Sequence, residues 1–587
     1  MRQRLRLITL CMLGGLVFLL FLGGRDIVTS HEARVAQTAR EMAEAGWPWK
    51  ATPLQVPGVA LTETPGGLRL AAQADKPPLQ INPWGVPTIN GQIRLQKPPL
   101  PYWVAAVMYR FTGITGGAAR FGPAVLGALC IPLIYDLARR LMGRRAGWVA
   151  ALLWISSYFI PDEYRKSMAD PYLAFATRLC FWAWVRASQG AGWALVLFYV
   201  GLGLGILAKG PVLFIHLAVA VAAFHACYRA AMPRGWKSHL AGVVLLAAIA
   251  VPWPLYVIWH VPNALVLWRY ESIGELTGEN VEKAREWFFY LPSLPQLCLP
   301  WIAVWVIAWG YPFARRGQAR RRLLFPLLWY AGTVFFFSLS AVKKNAYLLP
   351  MMPAQVLLIA QAVVGLMAMS RRRSGKWPWL AIEVQKVIGV GWGIAMGAVL
   401  LLNMSEWPWG EVPFRALVGV LRQALGQITL GGMALAVLAV AVGVFPLVFN
   451  TRRQVRPWFA AQAACYGLLL VLSFVGWTIP WDNARSPRDL VEHVAIAAAQ
   501  PGYTVSRSRL QETALFYLPN GLAYDRLAEH VLVIVQKRPK YQLDTEDPGF
   551  FGPDVPEGSP VAAREVPIKA SSARDYWRVY DVTVERK

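Results

Sequence analysis

Five groups of ionisable residues stand at the ends of long apolar runs, and their types set the chemistry within reach. His31, Glu32 and Arg34 follow the first run; an imidazole beside a carboxylate supplies acid–base groups, and the guanidinium offers a bidentate fork. Lys97 opens Lys-Pro-Pro-Leu-Pro-Tyr-Trp, whose prolines fix the backbone and remove donors, so its ammonium enters the membrane face in a rigid setting. Asp162, Glu163, Arg165, Lys166 and Asp170 crowd one short turn, with Asp170 at the top of the following run. Arg269 lies between Trp268 and Tyr270 in a loop otherwise rich in glutamate. Lys343, Lys344 and Tyr347 interrupt two further runs. Each group has a plainer use: Arg34 as an interfacial anchor, Lys97 as a snorkelling amine, Asp170 as a partner for a helix dipole, the glutamates as a solvated face. Taken together, Lys97, Arg269, Lys343 and Tyr347, with Arg34 and Arg165, make a cationic, hydrogen-bonding set whose natural ligand is phosphate. A lipid phosphate would lie at that depth while its tail filled a groove between helices.

The elements that must hold these residues are membrane helices. The chain has 587 residues, 56% hydrophobic and 16% charged, with 59 Lys+Arg against 33 Asp+Glu for a net charge of +26 and a mean hydropathy of +0.38. A soluble chain would carry about a quarter of its residues as charges. The basic excess falls in short clusters between apolar runs, as membrane topology requires, which argues against nucleic acid. Apolar runs predict about thirteen spans, near 7–23, 118–138, 146–161, 169–187, 192–208, 210–228, 240–259, 291–313, 323–341, 346–369, 384–403, 427–449 and 457–479. With a cytoplasmic N-terminus, the Arg and Lys clusters near residues 2–6, 139–145, 229–237, 315–322, 371–376 and 452–456 all fall on one side. The other side receives residues 24–117, 260–290, 404–426 and everything after about 480. Function is expected there. Ser30 is a plausible N-cap for a helix through Met42, with Val35, Ala39 and Met42 on one face, expected along the membrane surface. Residues 481–587 change character and predict a small soluble α/β domain, with a helix starting at Ser486-Pro487 and strands at 531–535 and 577–584. Six scattered cysteines read as small core residues.

The order and sidedness of several short motifs add to this reading. His-Glu-Ala-Arg at 31–34, Gly46-Trp47, Asn90-Gly91, Lys97-Pro98-Pro99-Leu100 with Tyr102-Trp103, Arg120, Asp170, Lys209-Gly210-Pro211, and Lys343 four residues before Tyr347-Leu348-Leu349-Pro350 resemble the lipid A aminoarabinose transferase and protein O-mannosyltransferase superfamily of GT-C glycosyltransferases. The likeness runs over about residues 1–480, a transmembrane GT-C domain by that resemblance. It implies an inverting enzyme of a bacterial inner membrane, its active site and C-terminal domain facing the periplasm or exterior. Such an enzyme passes a sugar from a polyprenyl-phosphate donor to lipid A or another envelope glycan or protein. It further implies that Lys97, Arg269 and Tyr347 contact donor phosphate and that Arg34 and Asp170 line the same cavity. Two positions depart from the family pattern: His31 stands where an acid is usual, and Gln96 where an acid often precedes the Lys. The insertion at about 50–90 is also long.

A hydroxyl acceptor needs a base, which His31 or Glu32 could supply; a phosphate acceptor is already anionic. His31 and Glu32 could also hold a divalent metal, although two ligands fall short of a site. No P-loop is present, so no nucleotide is called for. The rival from another class is a transporter or flippase of lipid-linked sugars, which would be expected to show paired halves or broken helices. A related enzyme with a protein or polymer acceptor would share the donor site.

Overall fold

The fold is taken from a computed structural model, which describes residues 2–64, 67–73, 75–270, 285–369, 377–401, 430–500, 503–505, 512–518, 530–536, 561–565 and 577–584. The expected outer segment 404–426, the glutamates between 271 and 282 and the basic cluster at 371–376 lie outside these residues. Helices dominate, because an apolar run in hydrocarbon must satisfy every backbone N–H and C=O internally. In order they begin α1 (Arg2–Leu19), α2 (Ser30–Glu44), α3 (Leu100–Thr112), α4 (Gly116–Met142), α5 (Arg144–Ser156), α6 (Phe159–Tyr164) and α7 (Ala169–Ser188). There follow α8 (Ala194–Lys209), α9 (Val212–Tyr228), α10 (Trp236–Ala250), α11 (Pro252–His260) and α12 (Ala264–Arg269).

Among the described residues six helices are long and apolar enough to cross a membrane, or seven if one bent pair is a single span. Three shorter apolar helices include α8 and α9. The run expected as one span over 291–313 is instead that bent pair, Tyr290–Leu297 and Ile302–Ala314, turning through 114°. Pro295 and Pro300 explain the break, since each removes a backbone donor and crowds the preceding turn. The bundle core is built from α1, α4, α5, α7, α8 and α9 with the later helices Gly317–Leu339, Met352–Met369 and Thr451–Ser473.

Above the bundle lies a layer that aims the candidate residues. α2 is capped by Thr29, whose hydroxyl accepts from Glu32 N at 3.4 Å, one residue earlier than the Ser30 cap expected from sequence. Its apolar face does not lie on lipid. Val35, Ala39 and Met42 are buried against Trp84, Tyr102 and Tyr109. Asn90 and Gly91, both at positive φ (53° and 68°), form the two-residue turn of a hairpin pairing Thr88 with Ile93 and Ile89 with Gln92. Two left-handed residues match the twist of such a hairpin, which is why Asn-Gly serves there. Glu41 on α2 clamps this turn, accepting from Thr88 Oγ1 at 2.7 Å and Asn90 N at 2.6 Å. Three indoles then pin the segments on either side of this hairpin, the second of which leads to Lys97: Trp103 donates to Trp84 O (2.8 Å), Trp253 to Gly85 O (2.9 Å) and Trp268 to Leu95 O (3.0 Å).

Near the C-terminus four strands form a sheet in the order Tyr503–Val505, His530–Gln536, Trp577–Val584, Val561–Glu565. The first pair is parallel and the others antiparallel. The helix Arg488–Ala498 packs on the sheet; Ser486 Oγ accepts from Arg488 N at 3.2 Å, so the cap expected there falls one residue inside. Phe516 and Tyr517 tie this unit to the outer layer. Arg40 donates to Phe516 O at 2.8 Å, and the Tyr517 hydroxyl accepts from Ile27 N at 2.7 Å.

Candidate functional site

A cavity of about 600 Å³ opens beneath the outer layer. Its wall is mostly apolar, with Leu173, Phe214, Trp253, Trp268 and Phe337 among its residues, and its polar groups are few: Gln96, Lys97, Lys209, His216, Ser340 and Tyr347. Pockets of this kind, apolar with a few convergent polar groups, are where substrates bind. Lys97 arrives from the pinned segment just before Pro98 and Pro99 lead into α3. Lys209 is the last residue of α8. Gly210, at φ 79°, reverses the chain so that Pro211 can open α9 while residues on both sides of the junction face the cavity. Only glycine adopts that conformation without strain.

Around the mouth of the cavity cations outnumber anions. Lys209 Nζ donates to Asp170 Oδ1 at 2.5 Å and lies 4.1 Å from the centre of the Tyr347 ring. Lys344 Nζ is 3.1 Å from His31 Nε2. An ammonium can only donate, so Nε2 accepts and His31 carries its proton on Nδ1. Partial burial, with the charges of Lys344 and Arg34, lowers the His31 pKa to about 4, and its solvent-open outer face softens the burial cost. His31 is therefore neutral at pH 7. Arg34, half-buried, follows one turn later on α2.

Several expected site residues turn out to hold the structure instead. Glu32 is only 1% exposed and accepts four hydrogen bonds: from Arg120 Nε (2.9 Å) and Nη2 (3.2 Å), Arg25 Nη2 (3.1 Å) and Ser167 N (3.0 Å). Burial alone would raise its pKa, but Arg120, then Arg25, overcome it and hold the carboxyl well below the usual range. A carboxylate so saturated is a poor proton acceptor, which corrects its expected role as a base. Glu32 and His31 bond different partners, the first Arg120 and the second Lys344. Among the described residues no three His, Cys, Asp or Glu side chains converge as a metal site would need. Arg165, expected at the phosphate, donates through Nη1 to the carbonyls of Val17 (3.1 Å), Phe18 (3.1 Å) and Leu20 (2.7 Å), and its guanidinium lies 4.2 Å from the Phe474 ring centre. It terminates α1, satisfying carbonyls that a helix end leaves orphaned.

Lys343 is likewise displaced: it is 5% exposed, and its amine donates to the carbonyls of Ser340 and Arg285. The lysine at the site is its neighbour Lys344. Arg269 ends α12 with its side chain exposed, while adjacent Trp268 turns into the cavity. In the turn before α7, Lys166 pairs with both Asp162 (2.7 Å) and Glu163 (2.6 Å), leaving Asp170 alone to serve Lys209. Thus the structure brings together His31, Arg34, Lys97, Asp170 and Tyr347 and separates Glu32, Arg165 and Lys343 from them. Lys209 and Lys344 were visible in sequence only as parts of Lys-Gly-Pro and of a dilysine, with nothing local to say which amine faces inward.

Residues 74–268 match the family model described as dolichyl-phosphate-mannose-protein mannosyltransferase. The chain is 28% identical over 475 residues to the undecaprenyl phosphate-alpha-4-amino-4-deoxy-L-arabinose arabinosyl transferase of Edwardsiella ictaluri, covering 77% of this chain and 78% of that one. A relative of the same name from Pseudomonas aeruginosa is 29% identical over 416 residues, 68% of this chain and 70% of its own. The fold resembles ArnT from Cupriavidus metallidurans in the apo state (TM-score 0.68, 19% identity, 99% of this chain and 98% of that one) and bound to undecaprenyl phosphate (TM-score 0.66, 98% and 97%). The motifs, the family model and these relatives point the same way: the chain is similar to the GT-C membrane glycosyltransferases, in the superfamily of aminoarabinose and protein mannosyl transferases.

Proposed function

We propose that the chain transfers a sugar, with inversion, from an undecaprenyl-phosphate type of donor to an acceptor at the outer face of a bacterial inner membrane, lipid A or another envelope glycan or protein. The observation that carries this is the cavity itself, apolar enough for an isoprenoid and lined at one end by Lys97, Lys209 and Tyr347. In this reading thirteen spans place residues 1–480 in the membrane with basic clusters inside, and residues 481–587 form an outer domain.

The acceptor oxygen attacks the anomeric carbon opposite the phosphate. The bond from that carbon to the phosphate oxygen breaks, and its electron pair leaves with the lipid phosphate. Charge grows there in the transition state, and fixed ammonium groups stabilise it without reorganisation. Lys97 and Lys209 supply that charge, with Arg269 adding to it from the end of α12, next to the cavity residue Trp268, and the Tyr347 hydroxyl donating beside them. Asp170 holds Lys209 in place. A hydroxyl acceptor passes its proton to His31, neutral and carrying a lone pair, once Lys344 yields Nε2; a phosphate acceptor needs no base. Glu32 holds α2, and hence His31, at the mouth.

Lys97→Ala, Arg269→Ala and Tyr347→Phe should each lower turnover ten- to a thousandfold, roughly the range for one lost electrostatic contact, while the protein stays folded. Undiminished turnover in all three would sink the assignment.

A further inference from the structure

Two uncharged polar side chains in the cavity wall have no hydrogen-bond partner among the described residues. His216, on α9, is 1% exposed, and neither ring nitrogen is bonded. Its ring stacks on Phe337 at 4.6 Å with 22° between the planes, so its orientation is fixed by packing. Gln96 keeps a buried, unbonded Oε1 in the bend that carries Lys97. Both line the cavity. Buried polar groups are nearly always satisfied, and those left open in a wall mark where something else supplies the partner.

Their positions narrow what that partner is. Gln96 adjoins Lys97, and His216 is the fifth residue of α9, just past the Lys209–Gly210–Pro211 junction and within electrostatic reach of Lys209, so each flanks an ammonium assigned above to phosphate. A phosphate diester at neutral pH offers acceptors only, which suits the ammoniums but not the Gln96 carbonyl oxygen or the lone pair of a neutral imidazole. An isoprenoid tail offers neither donor nor acceptor. A sugar hydroxyl offers both. We propose that Gln96 and His216 are the sugar-reading residues of the cavity, each hydrogen-bonded to a hydroxyl of the lipid-linked sugar while Lys97 and Lys209 hold its phosphate. This rests on the donor reading above.

The test compares purified full-length wild type, Gln96→Met, His216→Phe and Lys97→Ala for binding of undecaprenyl phosphate and of a panel of undecaprenyl-phosphate pentoses and hexoses. Phenylalanine at 216 retains the stacking on Phe337, and methionine matches glutamine in length. Wild type should bind at least one sugar-bearing lipid more tightly than the bare lipid. Each substitution should weaken that binding about five- to tenfold, as for one net hydrogen bond, and leave bare undecaprenyl phosphate unchanged, which also reports an intact fold. Equal weakening of both lipids would assign the two residues to phosphate, and no weakening would leave them to water; either overturns the proposal, as would a wild type indifferent to the sugar. Lys97→Ala separates the two levels: it should weaken both lipids, and if it binds both as wild type does, the donor reading itself fails.

Discussion

Lys343 and Lys344 are adjacent in sequence and do different work, one anchored to the carbonyls of Ser340 and Arg285, the other meeting His31 at 3.1 Å. Lys343→Met should therefore lower the melting temperature while the folded fraction keeps its kcat. Lys344→Met should leave stability nearly unchanged and move the pKa of His31 up from about 4, because a cation that lowers it is gone. An NMR titration of the imidazole would read that shift, and an unmoved pKa would contradict the contact. The same imidazole makes stability depend on pH. Its folded-state pKa lies below the ordinary 6.5, so its contribution is complete above 6.5 and is lost as pH falls from 6.5 towards 4. Thermal melts across that window should show the loss in wild type and not in His31→Gln. Residue types disclosed much of this site: Lys97, Asp170 and Tyr347 were legible because a charge or phenol at the end of an apolar run has few reasons to be there. The choice between two neighbouring lysines was not legible, since both fit the local pattern and only the fold turns one inward.

Glu32 shows how a chemically suggestive side chain can belong to an element instead of a reaction. Through Arg25, Arg120 and the Ser167 amide it joins the segment between α1 and α2, the start of α2, α4 and the turn before α7. Glu32→Gln would leave buried guanidinium groups uncompensated and should cost about 3–5 kcal/mol, the usual scale for breaking a buried pair. Thermal or denaturant unfolding would check it, and a variant as stable as wild type would return Glu32 to the list of catalytic candidates. Sequence could not show this, because its partners lie up to 135 residues away. Arg165 eluded the reading for the same reason, its carbonyl partners being on α1 some 145 residues earlier. At the α8–α9 junction the demand is conformational. Gly210→Ala should cost about 1–2 kcal/mol for a side chain at φ 79°, and should raise KM for the lipid donor more than it lowers kcat by displacing Lys209.

At the scale of the molecule, hydrophobic length was the most readable signal, because a spanning helix leaves a long uninterrupted run. The runs at 118–138, 323–341 and 346–369 fall on helices able to span. The run at 291–313 misled because apolar length says nothing about direction, and its prolines bend the chain by 114°. The outer layer was legible in its helix and opaque in its hairpin and indole pins, which depend on contacts between distant segments. The proposed sidedness can be measured directly: a cysteine placed at Arg316 should label only from the cytoplasmic side, and one at Trp49, 73% exposed in the outer layer, only from outside. The central claim, that this cavity holds a lipid-phosphate-linked sugar for transfer, is tested most directly by incubating purified wild type and Lys97→Ala with radiolabelled polyprenyl-phosphate sugars and envelope acceptors. Label passing to an acceptor with wild type and falling at least tenfold with Lys97→Ala is the predicted result. Label that never leaves the lipid, but crosses a reconstituted bilayer, would contradict transfer and make the protein a carrier.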